Sequence, residues 1–431
     1  MYRKITAFLE AWKKNQYRKP LVLQGARQVG KTYSVLEFGR INYENVAYFN
    51  FETNPKLNRT FEENISPDYL IPILSHISGQ TIVKEKTLII FDEVQLCERA
   101  LTSLKYFCED APDYHIIVAG NLLGVAVNLA KFSFPVGKVD MKTMYPMDME
   151  EFMIAMGEEK LATQVRQCFE TNTAMPSALH DAAMQLYRQY LVVGGMPECV
   201  LQFAQTRDYI LIRNTQDTIL ASYLNDMSKY NNLNEIKKTR LAYDNITVQL
   251  SKKNTRFQYK LIKKGGRASE FENAIEWLCL SGIVSQVYRI EQIKKPLENY
   301  RDIDAFKIYV SDLGLLCAKK DLAANDILYM AEKLNDFKGG MAENYVNVQL
   351  SINGYHTYYW ESARGAEIDF VIQRNEQLIP IEVKSADNTR AKSLKVYMET
   401  YDPEYAIKLS AKNFAFEDNK KTVPLYAAFC I

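Results

Sequence analysis

Gly25-Ala26-Arg27-Gln28-Val29-Gly30-Lys31-Thr32 fits G-x-x-x-x-G-K-[ST] in full. An apolar run at 21–24 precedes it and a helix-forming stretch at 32–39 follows, the strand, loop and helix setting that the motif needs. The glycines let the loop curl so that successive N–H groups converge on a β-phosphate, and the helix N-terminus adds partial positive charge there. Lys31 is expected to reach the β and γ oxygens. Thr32 is expected to place its hydroxyl on Mg²⁺, which keeps most of its octahedral shell as water and phosphate oxygen. This stretch is therefore read as a nucleotide-binding loop with ATP and Mg²⁺ as cofactors.

Working outward, Thr87-Leu88-Ile89-Ile90-Phe91-Asp92-Glu93 is an apolar strand that ends in adjacent carboxylates. Placed after the loop and behind an intervening strand, it reads as a Walker B strand. Asp92 would hold a water of the Mg²⁺ shell and Glu93 would take a proton from the water attacking the γ-phosphate. The next apolar run, 116–119, ends at Gly120-Asn121. The Asn121 amide serves either as a polar sensor of the γ-phosphate or as a cap for the following helix. Lys31, Glu93 and Asn121 are the candidate catalytic residues, and Thr32 and Asp92 the candidate metal ligands.

The rest of the chain sets bounds on this reading. Its 431 residues exceed one ordinary core, and 47% hydrophobic with 24% charged residues is the composition of a folded globular protein. Lys plus Arg total 53 against 52 for Asp plus Glu, so no global field draws the chain to nucleic acid or membrane. Seven cysteines without a C-x-x-C pair, and four scattered histidines, match no zinc spacing and imply reduced thiols and a cytoplasmic address. Residues 1–15 lack a signal-peptide pattern, and the most apolar stretch, 116–130, is broken by Gly120, Asn121, Gly124 and Asn128. No membrane span is expected.

Four zones follow from pattern. Residues 1–149 alternate short strands with helices, as a parallel sheet with helices on its faces does. Residues 150–232 read as a helical connector broken by Gly194-Gly195-Met196-Pro197. Residues 233–320 carry helices followed by two strands, the order of a winged helix. Residues 336–431 form a second α/β domain. There, strand alternation puts Glu367 and Asp369 on one face and Glu382 and Lys384 on one face of the next strand. A hairpin would bring the two polar faces together. Between Ser251 and Ala268 lie Lys252, Lys253, Arg256, Lys260, Lys263, Lys264 and Arg267 with no acid, interleaved with Phe257 and Tyr259. Lys252, Lys253, Lys263, Lys264 and Arg267 are the candidate nucleic-acid contacts; a solvated basic face is the alternative.

Taken together, G-A-R-Q-V-G-K-T, F-D-E-V-Q, A-G-N-L-L-G, F-P-V-G-K-V with M-Y-P-M, Y-L-V-V-G-G-M-P-E, E-I-D-F-V and I-E-V-K resemble a prokaryotic family of AAA-like P-loop ATPases with a C-terminal domain of unknown function. The resemblance spans nearly the whole chain. It implies an α/β, AAA-like P-loop NTPase sheet, a helical connector with a winged helix, and a C-terminal restriction-endonuclease-like α/β domain. In many relatives the position of Lys138 is Arg, and a lysine there cannot make the bidentate contacts of an arginine finger; Arg27, Arg59 and Arg99 are the alternatives. Asp369, Glu382 and Lys384, with Glu343 on the preceding helix, are similar to the PD-(D/E)XK nuclease signature, except that Ile368 stands where that signature has proline. In active nucleases of this kind the carboxylates hold Mg²⁺ and the lysine acts on the attacking water. The function expected is an Mg²⁺-dependent ATPase coupled to a DNA- or RNA-binding, nuclease-like C-terminal half, with ATP, nucleic acid and a second copy of the chain as the candidate partners. The alternative is an ATP-switched regulator or scaffold whose nuclease fold is inactive.

Overall fold

The computed structural model describes residues 1–121, 135, 137–229, 233–250, 256–385 and 392–431. They divide into two compact units, one of Tyr2–Tyr145 with Leu280–Gly282, the other of Pro146–Cys279 and Ile283–Ile431 with Met1.

In the first unit, strands β1 (Leu21–Gly25), β2 (Asn45–Asn50), β3 (Thr87–Asp92), β4 (His115–Asn121) and β5 (Asp140–Thr143) form one sheet in the order β2-β3-β4-β1-β5. Every pairing is parallel. Helices α1 (Ile5–Lys14), α2 (Lys31–Asn42), α3 (Lys56–Glu63), α4 (Pro67–Ser78) and α5 (Glu98–Asp110) provide the connections and flanks. All of β3 is buried, which explains its unbroken apolar run: a strand covered on both faces needs no polar alternation. Phe49, Phe51, Phe61 and Phe91 meet edge to face or tilted with ring centroids 5.6–5.9 Å apart, and anchor one side of the core. The parallel α/β sheet expected from the sequence is present, with β5 added at its edge.

The second unit begins with helices. Asp148 caps Met149–Ala155 through Glu151 N at 2.8 Å, and Glu151 returns a bond to the Asp148 N–H in a capping box. Helices Glu159–Thr171, Ser177–Val193, Pro197–Thr206, Tyr209–Lys229 and Leu233–Gln249 follow. Gly194 and Gly195 bend the chain where no side chain fits: a Cβ on Gly195 would stand 2.1 Å from Met147 O, and one on Gly194, at φ +75°, 2.3 Å from Asp312 Oδ1. That close approach is why the motif needs two glycines.

After helix Ala268–Leu280 come β6 (Val284–Ile290) and β7 (Arg301–Val310), the helix-then-hairpin order expected of a winged helix. The pairing differs from that expectation. β6 runs parallel beside β8 (Tyr358–Glu361), with Tyr288 level with Tyr358 and Ile290 with Trp360. The hairpin therefore joins β9 (Glu367–Arg374), β10 (Gln377–Val383), β11 (Ala406–Ser410), β12 (Ala415–Glu417) and β13 (Lys420–Pro424) in an eight-stranded sheet, order β12-β13-β11-β10-β9-β8-β6-β7. Residues assigned to separate zones, 233–320 and 336–431, thus share one sheet. The edge strand β12 and its neighbour β13, absent from the sequence expectation, turn at Asp418-Asn419, both at positive φ. Among the described residues no helix is long and apolar enough to cross a membrane.

Candidate nucleotide site and C-terminal carboxylate cluster

Parallel pairing brings the ends of β1, β4 and β3 to one edge of the sheet: Gly25 is level with Asn121, and Asp92 with Ala119. The carboxyl edge of a parallel sheet is where the loops of such folds meet their ligands. The loop after β1 passes through positive φ at Gln28 (+65°) and Gly30 (+90°) before entering α2. A Cβ on Gly25 would lie 2.2 Å from Met144 O, so the loop starts where only glycine fits. From beneath, the buried Arg3 donates to Val29 O at 2.9 Å and to Tyr145 O at 2.7 Å.

Lys31 Nζ donates to Gly25 O at 3.0 Å and Ala26 O at 2.8 Å, folded over the loop's own carbonyls. Burial pulls its pKa down to about 8, against the pull of Glu93 and Asp92. Thr32 Oγ1 donates to Asp92 Oδ2 at 3.0 Å, so the hydroxyl and carboxylate expected to serve one Mg²⁺ stand side by side, an oxygen donor set that suits that ion. Tyr48, on the strand next to β3, donates to the same oxygen at 2.7 Å, and the Glu93 N–H donates to Asp92 Oδ1 at 3.0 Å. Glu93 sits at φ +52°. Its carboxyl is raised above the ordinary range by burial, with a further push from Asp92, while a hydrogen bond from Gln95 pulls the other way. A partly desolvated carboxylate within reach of the loop is what a general base requires. Arg3 and Tyr48 lie in none of the motifs, and Gln95 ends F-D-E-V-Q with no role assigned to it there. The Asn121 side chain lies outside what the structure describes. Of the finger candidates, Lys138 pairs with Glu109 at 2.8 Å, and Arg99 donates to Phe61 O at 2.7 Å.

In the second unit the hairpin works as expected. β9 and β10 turn at Asn375-Glu376, both at positive φ, and pair Arg374 with Gln377 through Phe370 with Ile381, so that Asp369 and Glu382 are the residues next to the last pair on the two strands. Asp369 Oδ2 accepts from Val383 N at 2.7 Å, and Lys384 Nζ meets Glu382 Oε1 at 2.7 Å. Glu382 Oε2 is buried and makes no hydrogen bond. Burial, and then the Glu343 carboxylate, lift Asp369 to about 7. Two residues from β7 join this cluster that the sequence reading did not name. Lys307, its side chain 2% exposed, meets Glu343 at 3.3 Å and Glu367 at 2.5 Å, and Tyr309 OH donates to Glu343 at 2.9 Å. The cluster does not fit a divalent metal. Among the described residues no group of three or more His, Cys, Asp or Glu could hold a metal ion, and the cations among these carboxylates are Lys307 and Lys384. The acids expected to form the nuclease-like site are met by donors of the chain itself: Glu343 by Lys307 and Tyr309, Asp369 by the Val383 N–H, and Glu382 by Lys384.

Lys263, Lys264 and Arg267 are exposed, Lys263 within 3.3 Å of Glu270, while Lys252 and Lys253 lie outside the described residues. Phe257 is buried and stacks on Phe306 with centroids 5.4 Å apart, and Tyr259 meets the same ring edge-on. Phe257 therefore belongs to the core beside β7, and the half-buried Tyr259 packs against it with ring centroids 5.3 Å apart.

Residues 17–153 match the family described as AAA domain, residues 184–326 a domain of unknown function (DUF8612), and residues 338–428 another (DUF4143). No curated protein is a significant sequence match. Among solved structures, a Walker-type ATPase of Pyrococcus abyssi is 13% identical over 73% of this chain and 94% of its own, with a TM-score of 0.44. The Aeropyrum pernix ORC1 protein in complex with DNA is 12% identical over 74% and 91%, TM-score 0.28. The Thermotoga maritima RuvB Holliday junction branch migration motor is 14% identical over 65% and 87%, TM-score 0.28. With the AAA domain match lying over the parallel sheet and its glycine loop, the first unit is an α/β P-loop NTPase domain of the AAA type.

Proposed function

We propose that this chain hydrolyses ATP with Mg²⁺ at the 25–32 loop, and that its ATP cycle governs a nuclease-like, nucleic-acid-binding C-terminal region. The observation that carries the reading is the convergence of Lys31, Thr32, Asp92 and Glu93 at one sheet edge, with Thr32 and Asp92 3.0 Å apart. In this reading the loop N–H groups and Lys31 bind the phosphates, Thr32 and Asp92 would hold the Mg²⁺, and Glu93 takes the proton of the attacking water. Bound Mg²⁺ would supply charge neutralisation across the β and γ oxygens. Lys31 exchanges its two carbonyl partners for phosphate oxygens, which restore the full charge that burial depresses. The exposed Lys263, Lys264 and Arg267 would contact a DNA or RNA backbone.

A second reading, in which bound nucleotide switches a regulator whose nuclease fold does not cut, gains support on the C-terminal side from Lys307 among the carboxylates. Phosphate release from ATP, measured with and without duplex DNA, separates the two. The ATPase reading expects turnover that Lys31→Ala abolishes along with ATP-dependent thermal stabilisation. Unchanged ATP affinity in a folded Lys31→Ala protein would sink the nucleotide-site assignment; tight ATP binding without phosphate release would favour the switch.

A further inference from the structure

The carboxylates gathered around β9 already have a cation of the chain's own. Lys307 is buried, and a buried ammonium persists only where opposite charge and hydrogen bonds replace its water. It has both, from Glu343 at 3.3 Å and Glu367 at 2.5 Å. Tyr309, two residues along the same strand, donates to the Glu343 oxygen that Lys307 also meets. On the other side Lys384 meets Glu382, and the Val383 N–H donates to Asp369. Each of the four acids therefore has a donor within the protein, with Glu382 Oε2 alone among the named atoms left without one, and an oxygen-seeking divalent ion entering beside Glu343 and Glu367 would have to displace an ammonium.

The source of Lys307 adds a second, topological observation. It lies on β7, whose partner β6 pairs in parallel with β8, and β8 pairs with β9. Lys307 thus comes from the 184–326 match, whereas Glu343, Glu367, Asp369 and Glu382 fall in the 338–428 match. One site is assembled from both.

We infer that Lys307 is a resident cation of this carboxylate cluster, a positioning residue that holds Glu343 and Glu367 in place of a divalent metal, and that the hairpin carrying it is part of the C-terminal site. The inference rests on the nuclease-like reading of this region and refines it: the site holds its acids in place without a metal, and nucleic acid is gripped rather than cut.

The test is calorimetric titration of the full chain with Mn²⁺ in the absence of nucleotide, on wild type, Asp369→Asn, Lys307→Met and the Lys307→Met/Asp369→Asn double variant. Wild type and Asp369→Asn should give the same isotherm. Lys307→Met should gain about one Mn²⁺ site, lost again in the double variant, an outcome that a merely structural lysine would not produce. A wild-type Mn²⁺ site that Asp369→Asn abolishes overturns the inference, as does a folded Lys307→Met protein with no new site. Should Lys307→Met not fold, the wild-type and Asp369→Asn pair still decides, with Lys307→Arg expected to behave as wild type. DNA and RNA binding in EDTA, measured alongside, is read separately: its loss counts against nucleic-acid binding and leaves the Mn²⁺ result intact.

Discussion

At the scale of single residues, the division of labour around Asp92 can be tested atom by atom. Asp92 Oδ2 accepts from Thr32 and Tyr48 and Oδ1 from the Glu93 N–H, so three donors fix the plane of the carboxylate. Removing the Tyr48 hydroxyl frees one constraint on the group that would hold a Mg²⁺-bound water. Tyr48→Phe should raise the Mg²⁺ concentration for half-maximal hydrolysis about 5-fold, the equivalent of one hydrogen bond of about 1 kcal/mol, with little change in kcat at saturating Mg²⁺. An unchanged Mg²⁺ requirement would leave Tyr48 as packing. Glu93→Gln should still bind ATP while turnover falls by ~10² or more, as losing a general base does; wild-type turnover in that variant would remove Glu93 from the mechanism. The positions of Lys31, Thr32, Asp92 and Glu93 at one sheet edge were legible because the motifs that carry them depend on neighbours within a few residues. Tyr48 was not. It reaches Asp92 only because β2 and β3 pair with Asn50 level with Asp92, a register that no local pattern announces.

At the scale of elements, the Gly194-Gly195 turn shows how a motif can be visible while its reason is not. Asp312 caps helix Leu313–Lys319 through Leu315 N at 2.8 Å and also accepts from Gly195 N at 2.6 Å, tying two segments far apart in sequence. Gly195→Ala should therefore destabilise the fold by ~1–3 kcal/mol, because the added methyl meets the Met147 backbone rather than a movable side chain; denaturant unfolding would show it. Burial lifts the Asp312 carboxyl to about 6, although four backbone N–H groups oppose the shift. Its folded pKa is above the unfolded value near 3.8, so the stabilisation is complete below about pH 4 and is lost as pH rises through 6. Asp312→Asn should remove that slope, which amounts to ~3 kcal/mol at 1.36 kcal/mol per unit. An Asn variant with the wild-type pH dependence between 4 and 6 would refute it. The β9–β10 hairpin, by contrast, was legible in full, since its pairing follows from strand alternation and a short turn. The β6–β8 pairing was not, because it joins segments about 70 residues apart in parallel, with no turn to mark it.

At the scale of the whole molecule, charge decides what kind of nucleic-acid binding is tenable. With 53 basic and 52 acidic side chains there is no long-range field to gather a polyanion, so affinity must come from a few local contacts. The basic run is the candidate, and its described part is unequal: Lys264 and Arg267 are exposed, whereas Lys263 lies within 3.3 Å of Glu270. The buried, stacked Phe257 cannot offer its face to a base, so the exposed basic side chains are the candidate contacts, and contact through phosphates alone predicts indifference to sequence. Each phosphate neutralised releases counterions and adds about 0.9 to the slope of log affinity against log salt for duplex DNA. Replacing Lys264 and Arg267 by alanine together should then flatten that slope by about 2 and weaken binding to unrelated duplexes alike, while ATP binding at the 25–32 loop is unaffected. Fluorescence anisotropy over a salt series, on two duplexes of unrelated sequence, makes the measurement. A slope equal to that of wild type would mean that these side chains are a solvated face, and nucleic-acid binding would have to be sought elsewhere on the chain. A loss confined to one duplex would mean that bases are being read, which phosphate contacts alone cannot do.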